Sequence, residues 1–219
     1  MGNTYFNPGC ALSIYKPSAE GAFFEYLQKH YEPNIKLHKI CCHHDPKVEK
    51  DSVIVNVCAG CYRRFSTLYE GVSTVSLWEV LDSVDAFDYP DYKGLRVSIH
   101  DPCPIRNKPQ VHKAVRSLLK KMNIEIEEAA YHSGDSVCCG DSFYQNIPLE
   151  EVHAKMKERA DSMPCQDVVV YCVSCIKSMY IGGKRPRHIG DLLLGEETSP
   201  QVYDTEAWHA QIGEYATRH

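Results

Sequence analysis

The eleven cysteines of the chain fall into one pattern written twice. The first copy is Cys10, then the adjacent pair Cys41 and Cys42, then Cys58-Ala59-Gly60-Cys61. The second is Cys103, then the pair Cys138 and Cys139 followed by Gly140, then Cys172-Val173-Ser174-Cys175. Each copy reads single, pair, C-x-x-C, and only Cys165 is left over. A fold for this chain must therefore gather five thiols twice, which points to two metal centres built by duplication.

Composition narrows the alternatives. At 219 residues and 43% hydrophobic content the chain can bury an ordinary core, so cysteines are not needed as staples for a small scaffold. The formal net charge is −5 and no Lys/Arg run is long enough to suggest nucleic acid as a partner. Residues 1–10 have neither a basic segment nor an apolar core of signal-peptide type, and Phe6 stands where a myristoylation motif needs Ser or Thr. No apolar stretch approaches the roughly 20 residues needed to span a bilayer. These features lead to the expectation of a cytoplasmic protein without a membrane span. There thiols stay reduced, and a cysteine framework binds metal rather than forming disulfides.

Short β-branched segments alternate with amphipathic ones. Strands are expected over 35–40, 53–57, 95–99, 124–127 and 168–171, the runs Val53-Ile54-Val55 and Val168-Val169-Val170 being apolar throughout, as buried parallel strands are. Helices are expected over 18–31, 112–123 and 149–163 and from Cys61 to about Tyr69; in the second, Val115, Leu118, Leu119 and Met122 share one stripe. Leu77-Trp78-Glu79-Val80-Leu81 and Ile189-Gly190-Asp191-Leu192-Leu193, at similar distances past each C-x-x-C, both read as a strand end running into an acid-started helix. The expected fold class is α/β: two pseudo-repeated Rossmann-like modules with small, mostly parallel sheets. The expected domains are residues 1–92 and 93–199, followed by a tail over 200–219 with a short helix starting near Asp204. The cysteines fall after strands, at the carboxyl edge where ligands gather in open α/β sheets.

Three kinds of cysteine site compete. A structural zinc on Cys58, Cys61, Cys172 and Cys175 leaves both adjacent pairs idle. Disulfides are disfavoured by the odd count and by the compartment. A four-cysteine cubane strands the same cysteine in each half. Use of all ten favours iron–sulfur over zinc.

Cys103…Cys138-Cys139-Gly140…Cys172-Val173-Ser174-Cys175 resembles the cysteine-rich CCG domain, which occurs twice in the B subunit of heterodisulfide reductase and in related subunits of lactate-utilisation, glycerol-3-phosphate and thiol:fumarate oxidoreductases. Tyr5-Phe6-Asn7-Pro8-Gly9-Cys10 and His100-Asp101-Pro102-Cys103 are similar to that family's lead-ins to the first cysteine of each repeat. The resemblance spans about residues 3–195. It implies two iron–sulfur clusters of non-cubane 4Fe–4S type, one on Cys10, Cys41, Cys42, Cys58 and Cys61, the other on Cys103, Cys138, Cys139, Cys172 and Cys175. It also implies an oxidoreductase subunit that takes electrons from ferredoxin-like iron–sulfur or flavoprotein partners and passes them to a small thiol or disulfide substrate. A non-catalytic electron relay or a partly zinc-binding scaffold is the competing reading.

The first half departs from the pattern. His43 replaces the glycine after the pair, and Cys58 follows Cys42 by sixteen positions where Cys172 follows Cys139 by thirty-three, so the helix matching 149–163 is missing. The first site is expected to hold the same cluster, a smaller one or another metal. Of the histidines near the cysteines, His43 is the expected ligand, whereas His44, His100 and His132 are read as loop or solvent residues. Asp101 is expected to bond backbone N–H groups. Residues 182–187 read as a solvated basic loop, and Cys165 as a buried or idle thiol. With no G-x-G-x-x-G, no nucleotide or flavin is expected in this chain.

Overall fold

The computed structural model describes residues 2–84, 86–199 and 204–219. The chain divides into two compact units, Met1–Asp88 with His209–His219, and Tyr89–Trp208. The first unit carries β1 (Thr4–Asn7), α1 (Gly9–Tyr15), α2 (Pro17–His30), β2 (Lys36–Leu37), β3 (Ser52–Asn56), α3 (Ala59–Leu68), β4 (Val72–Ser76) and α4 (Leu77–Ser83). The second carries β5 (Leu95–His100), α5 (Pro109–Lys121), β6 (Ile124–Ile126), α6 (Leu149–Asp161), β7 (Asp167–Val170), α7 (Val173–Ile181), β8 (Arg185–His188) and α8 (Ile189–Leu193); α9 (Thr205–Arg218) follows. Among the described residues no helix is long and apolar enough to cross a membrane.

The duplication is visible in the sheets. Their strand orders are β2-β1-β3-β4 and β6-β5-β7-β8, and every pairing is parallel. The fold is thus α/β with two Rossmann-like modules, as the alternation of segments suggested. The central strands are apolar because helices cover both faces: Ile54, Val55, Val168, Val169 and Val170 have no exposed surface. In α5 the buried stripe is Val111, Val115, Leu118 and Leu119, with Lys120 and Lys121 in the last turn, where they complement the helix dipole. Ser76 caps α4 through a capping box with Glu79.

Several expectations need correction. β2 covers two residues, not the whole of 35–40, although His38 N–H still bonds Phe6 O at 2.8 Å beyond the strand. β1 is too short and too close to Cys10 to show a period. Residues 185–188 are not part of a solvated loop but the edge strand β8, with Pro186 and His188 buried; an edge tolerates a proline because one side of its backbone needs no ladder partner. The expected short helix near Asp204 is α9, fourteen residues long and started by Asp204 Oδ1 accepting from Ala207 N–H at 2.7 Å. Residues 200–203 of the expected tail lie outside the described residues.

In the second unit the strand ends are tied together by one buried carboxylate. Asp101, directly after β5, has no exposed surface. It accepts from Arg116 of α5 at 3.0 and 2.9 Å, from Tyr171 Oη after β7 at 2.5 Å and from Ser133 N–H at 2.6 Å. The expected backbone bond is present, but most of the load falls on Arg116 and Tyr171. Burial alone would raise the Asp101 carboxyl; these three donors outweigh it and hold the group below its ordinary value.

Gly140 shows why the pair in the second unit is followed by glycine. Its φ is +100°, and a Cβ there would lie 2.8 Å from both Met156 N and Met156 Cγ of α6. The first unit has no helix between Cys42 and β3. The two departures of the first half, histidine for glycine and the missing helix, are therefore one departure.

Two outcomes follow from these contacts. Gly140→Ala should lower stability by roughly 1–3 kcal/mol in urea denaturation under anaerobic conditions, whereas His43→Ala, at an exposed position, should stay within about 0.5 kcal/mol. Asp101→Ala should cost about 3–5 kcal/mol, since it strands Arg116 and Tyr171. A carboxyl held below its unfolded value stabilises above that value, about pH 4, and ceases to do so as pH falls through its folded value. The stability gap between wild type and Asp101→Asn should accordingly be full at neutral pH and shrink below about pH 4.

Candidate metal centres

The five cysteines of each unit sit at the carboxyl ends of the first three strands of its sheet. Cys10 follows β1, the pair Cys41 and Cys42 follows β2, and Cys58 follows β3; Cys103, the pair Cys138 and Cys139, and Cys172 stand in the same relation to β5, β6 and β7. In the sheet order β2-β1-β3-β4 the chain reverses direction between β1 and β3, and such a switch point opens a crevice between neighbouring loops. Cys58 and Cys172 are N-caps of α3 and α7, and Cys61 and Cys175 lie in the first turn, where backbone N–H groups and the helix dipole favour thiolate.

Within each unit the thiols form one hydrogen-bonded chain. In the first its order is Cys10, Cys41, Cys42, Cys61, Cys58. In the second it is Cys103, Cys138, Cys139, Cys175, Cys172, with Cys175 Sγ and Cys139 Sγ 3.5 Å apart. The order is the same in both units: single, first of the pair, second of the pair, last of the C-x-x-C, first of the C-x-x-C. Cys41 and Cys138, each flanked by two thiol donors, are pushed down, and the other thiols of the two chains that shift are pushed up by neighbouring sulfurs and burial. Five ionised sulfurs this close repel one another; a soft metal centre removes the repulsion and suits sulfur donors in apolar surroundings. Cys42 and Cys61 are packed in a core cluster with Ile54 and Phe65. The donor set therefore fits an iron–sulfur or zinc centre in each unit. Cys165 is half-buried near Glu127, outside both chains.

The residue after each pair acts through its backbone. Gly140 N–H donates to Cys138 Sγ at 3.4 Å, and His43 N–H makes the matching bond to Cys41. The His43 ring is exposed and, among the described residues, is not grouped with other metal-ligating side chains. His44 bonds Ala216 O at 2.8 Å, and His132 is an exposed loop residue beside Ser133. His100 is the histidine that joins a site. It is fully buried, and a ring nitrogen lies within 4.8 Å of Cys139 Sγ and Cys175 Sγ. Burial, aided by the charge of Arg159, pushes it down to about 3, so the ring is neutral. The signal that could have found it is its register: His100 ends β5 three residues before Cys103, as Asn7 ends β1 three residues before Cys10.

The two centres differ in exposure at one cysteine. Cys41 is buried, its N–H bonded to His219 O at 3.3 Å, whereas Cys138 is half-buried and lines an open cavity of about 330 Å³. That cavity is also lined by Arg106, Lys155, Arg159, Tyr131 and Phe143. The sequence reading did not find it, because its wall comes from α6 and from loops distant in sequence.

Comparison with known proteins agrees with the cysteine pattern. Residues 97–179 match the model of the CCG cysteine-rich domain. An uncharacterised iron–sulfur protein of Methanocaldococcus jannaschii is 31% identical over 96 residues, which cover 43% of this chain and 18% of that protein. Among solved structures, an aspartate racemase of Picrophilus torridus aligns over 98% of both chains at 9% identity with a TM-score of 0.35, a likeness that carries no argument. Within the second unit, residues 97–179 are thus similar to the CCG cysteine-rich domain, and the relative matched over part of its length is named as an iron–sulfur protein.

Proposed function

We propose that the chain is an iron–sulfur oxidoreductase subunit of the heterodisulfide reductase B type, with a non-cubane 4Fe–4S cluster on each set of five cysteines and the reactive one in the second unit. The observation that carries this reading is the exposure of Cys138 to a cavity while the rest of its thiol chain sits in α7 and in the segments after β5, β6 and β7. When bound, the iron–sulfur group supplies one-electron chemistry at sulfur. The chain supplies the rest. Cys103, Cys138, Cys139, Cys172 and Cys175 would hold the group, and the cavity would let a small molecule reach the Cys138 side. Reduction of a disulfide takes two electrons and two protons and yields two thiols. The electrons come from an iron–sulfur or flavin partner, the protons from solvent at the open cavity.

The cavity lining narrows the substrate. Arg106 and Lys155 outnumber Glu158, and Tyr131, Val137 and Phe143 expose apolar surface beside them. A thiol or disulfide with an acidic group and an apolar body matches that lining.

Anaerobic reconstitution should give about eight irons per chain with matching sulfide. Cys138→Ala and Cys139→Ala should each lower iron and alter one EPR signal, and Cys165→Ala should do neither. About one zinc per chain without sulfide would establish the scaffold reading instead. Mercaptopropionate added to an oxidised sample should perturb the signal that Cys139→Ala alters, at lower concentration than neutral mercaptopropanol does. Perturbation of only the other signal would place the reactive centre in the first unit, and no perturbation by either thiol would leave an electron relay.

A further inference from the structure

Arg159 of α6 is a buried cation without a carboxylate partner. It is 3% exposed, and its bonds run to His100 Nδ1 at 3.1 Å, Tyr131 O at 2.9 Å, Ser136 Oγ at 3.1 Å and Ser162 Oγ at 3.2 Å. All four acceptors are neutral. No carboxylate lies within ion-pair distance of it among the described residues; Asp101, whose charge acts on it, has its oxygens committed to Arg116, Tyr171 and Ser133. An uncompensated guanidinium in a protein interior costs several kcal/mol unless an anion balances it. The anions left to do so are the sulfurs of Cys139 and Cys175, whose charge acts on Arg159 and which lie beside His100.

The hydrogen bond between Arg159 and His100 decides the tautomer. A guanidinium only donates, so Nδ1 of His100 must accept. A neutral ring that accepts at Nδ1 carries its proton on Nε2. That Nε2 is buried and has no hydrogen-bond partner among the described residues. A nitrogen that keeps its proton is a donor, not a metal ligand.

We propose that Arg159 and His100 form a cationic relay that tunes the centre of the second unit: Arg159 supplies the balancing charge, and His100 passes it on as an Nε2–H hydrogen bond to the sulfur of that centre. The inference rests on the iron–sulfur reading of the second unit. A cation and a donor beside a sulfur-ligated centre stabilise its more negative, reduced state, and so raise its midpoint potential. Among its described residues the first unit shows no counterpart. Asn7, at the position of His100, turns its Nδ2 to His38 Nδ1 at 2.9 Å, and Arg159 has no equivalent because α6 is missing there. Both residues are positioning residues rather than catalytic ones.

The test is an EPR-monitored redox titration of the whole chain, anaerobically reconstituted, with the second-unit signal defined as the one altered in Cys139→Ala. Arg159→Met should fill the same space, keep full iron and shift that midpoint to lower potential, leaving the first-unit midpoint in place. His100→Leu should shift it in the same direction, and His100→Gln, which retains an N–H, should restore most of the shift. Proton ENDOR of the wild type should show an exchangeable coupling at the second-unit signal that His100→Leu abolishes. Histidine labelled with nitrogen-15 should show no coupling large enough for a direct metal–nitrogen bond. Unchanged midpoints in iron-replete Arg159→Met and His100→Leu would overturn the relay while leaving the iron–sulfur reading intact, as would a bonded nitrogen coupling from His100. A wild type with no second-unit iron signal would overturn both. Because the ENDOR measurement uses wild type and one variant, it decides the question even where Arg159→Met does not fold.

Discussion

Five sulfurs at the carboxyl edge of three adjacent parallel strands are the constraint on which each unit depends. Strands deliver side chains at fixed positions, and the loops after β1, β2 and β3, or β5, β6 and β7, open toward one crevice at the switch point. That geometry is cheap in backbone terms, because the loops need only be short and the helices after them supply N–H groups. It is costly in electrostatic terms, because thiolates this close repel in surroundings that screen poorly. The hydrogen-bonded string of thiols, with Cys41 or Cys138 pushed down and most of the other thiols pushed up, is the arrangement left to sulfur without a cation. Metal binding and folding are thereby linked: a cation that joins the sulfurs removes the main repulsion at the sheet edge.

The difference between the units traces to one element. α6 is present between the pair and the C-x-x-C in the second unit and absent in the first. Its Met156 presses on the backbone after Cys139, which only a glycine can accommodate. Its Arg159 reaches His100 in the interior. Its Lys155, Glu158 and Arg159 form one wall of the cavity beside Cys138. A single inserted helix thus accounts for the glycine of the motif, the buried cation and the opening. In the first unit the matching loop is held in another way, with His44 and the N–H of Cys41 bonded to the last turn of α9.

Much of this was legible in the sequence, and the unreadable parts share a cause. The grouping of ten cysteines into two sets, the alternation of strands and helices, and the amphipathic helices α5 and α6 all follow from local spacing, which survives folding unchanged. β1 was missed because it lies too close to Cys10 to show a period, and β8 because it reads Arg-Pro-Arg-His, the pattern of a loop, and becomes a strand only because β7 pairs with it. His43 looked like the ligand because it adjoins the pair, but its ring is exposed and it acts on Cys41 through its backbone N–H. His100 looked like a loop residue because nothing in its neighbourhood along the chain names Arg159, fifty-nine positions away.

Burial of Arg159 also bears on why the second unit keeps a polar interior at all. A leucine or methionine at that position would pack as well and avoid the desolvation cost. Four neutral acceptors orient the guanidinium but do not balance its charge, which is left to Asp101 and the sulfurs of Cys139 and Cys175. Asp101 is another buried charge of the second unit, and it is balanced by Arg116 and its hydrogen bonds. The two differ in what they serve. Asp101 secures the strand ends that present Cys103 and Cys172, and its effect is on stability. Arg159 is aimed through His100 at the sulfurs themselves, and its effect is on how readily the centre they hold accepts negative charge.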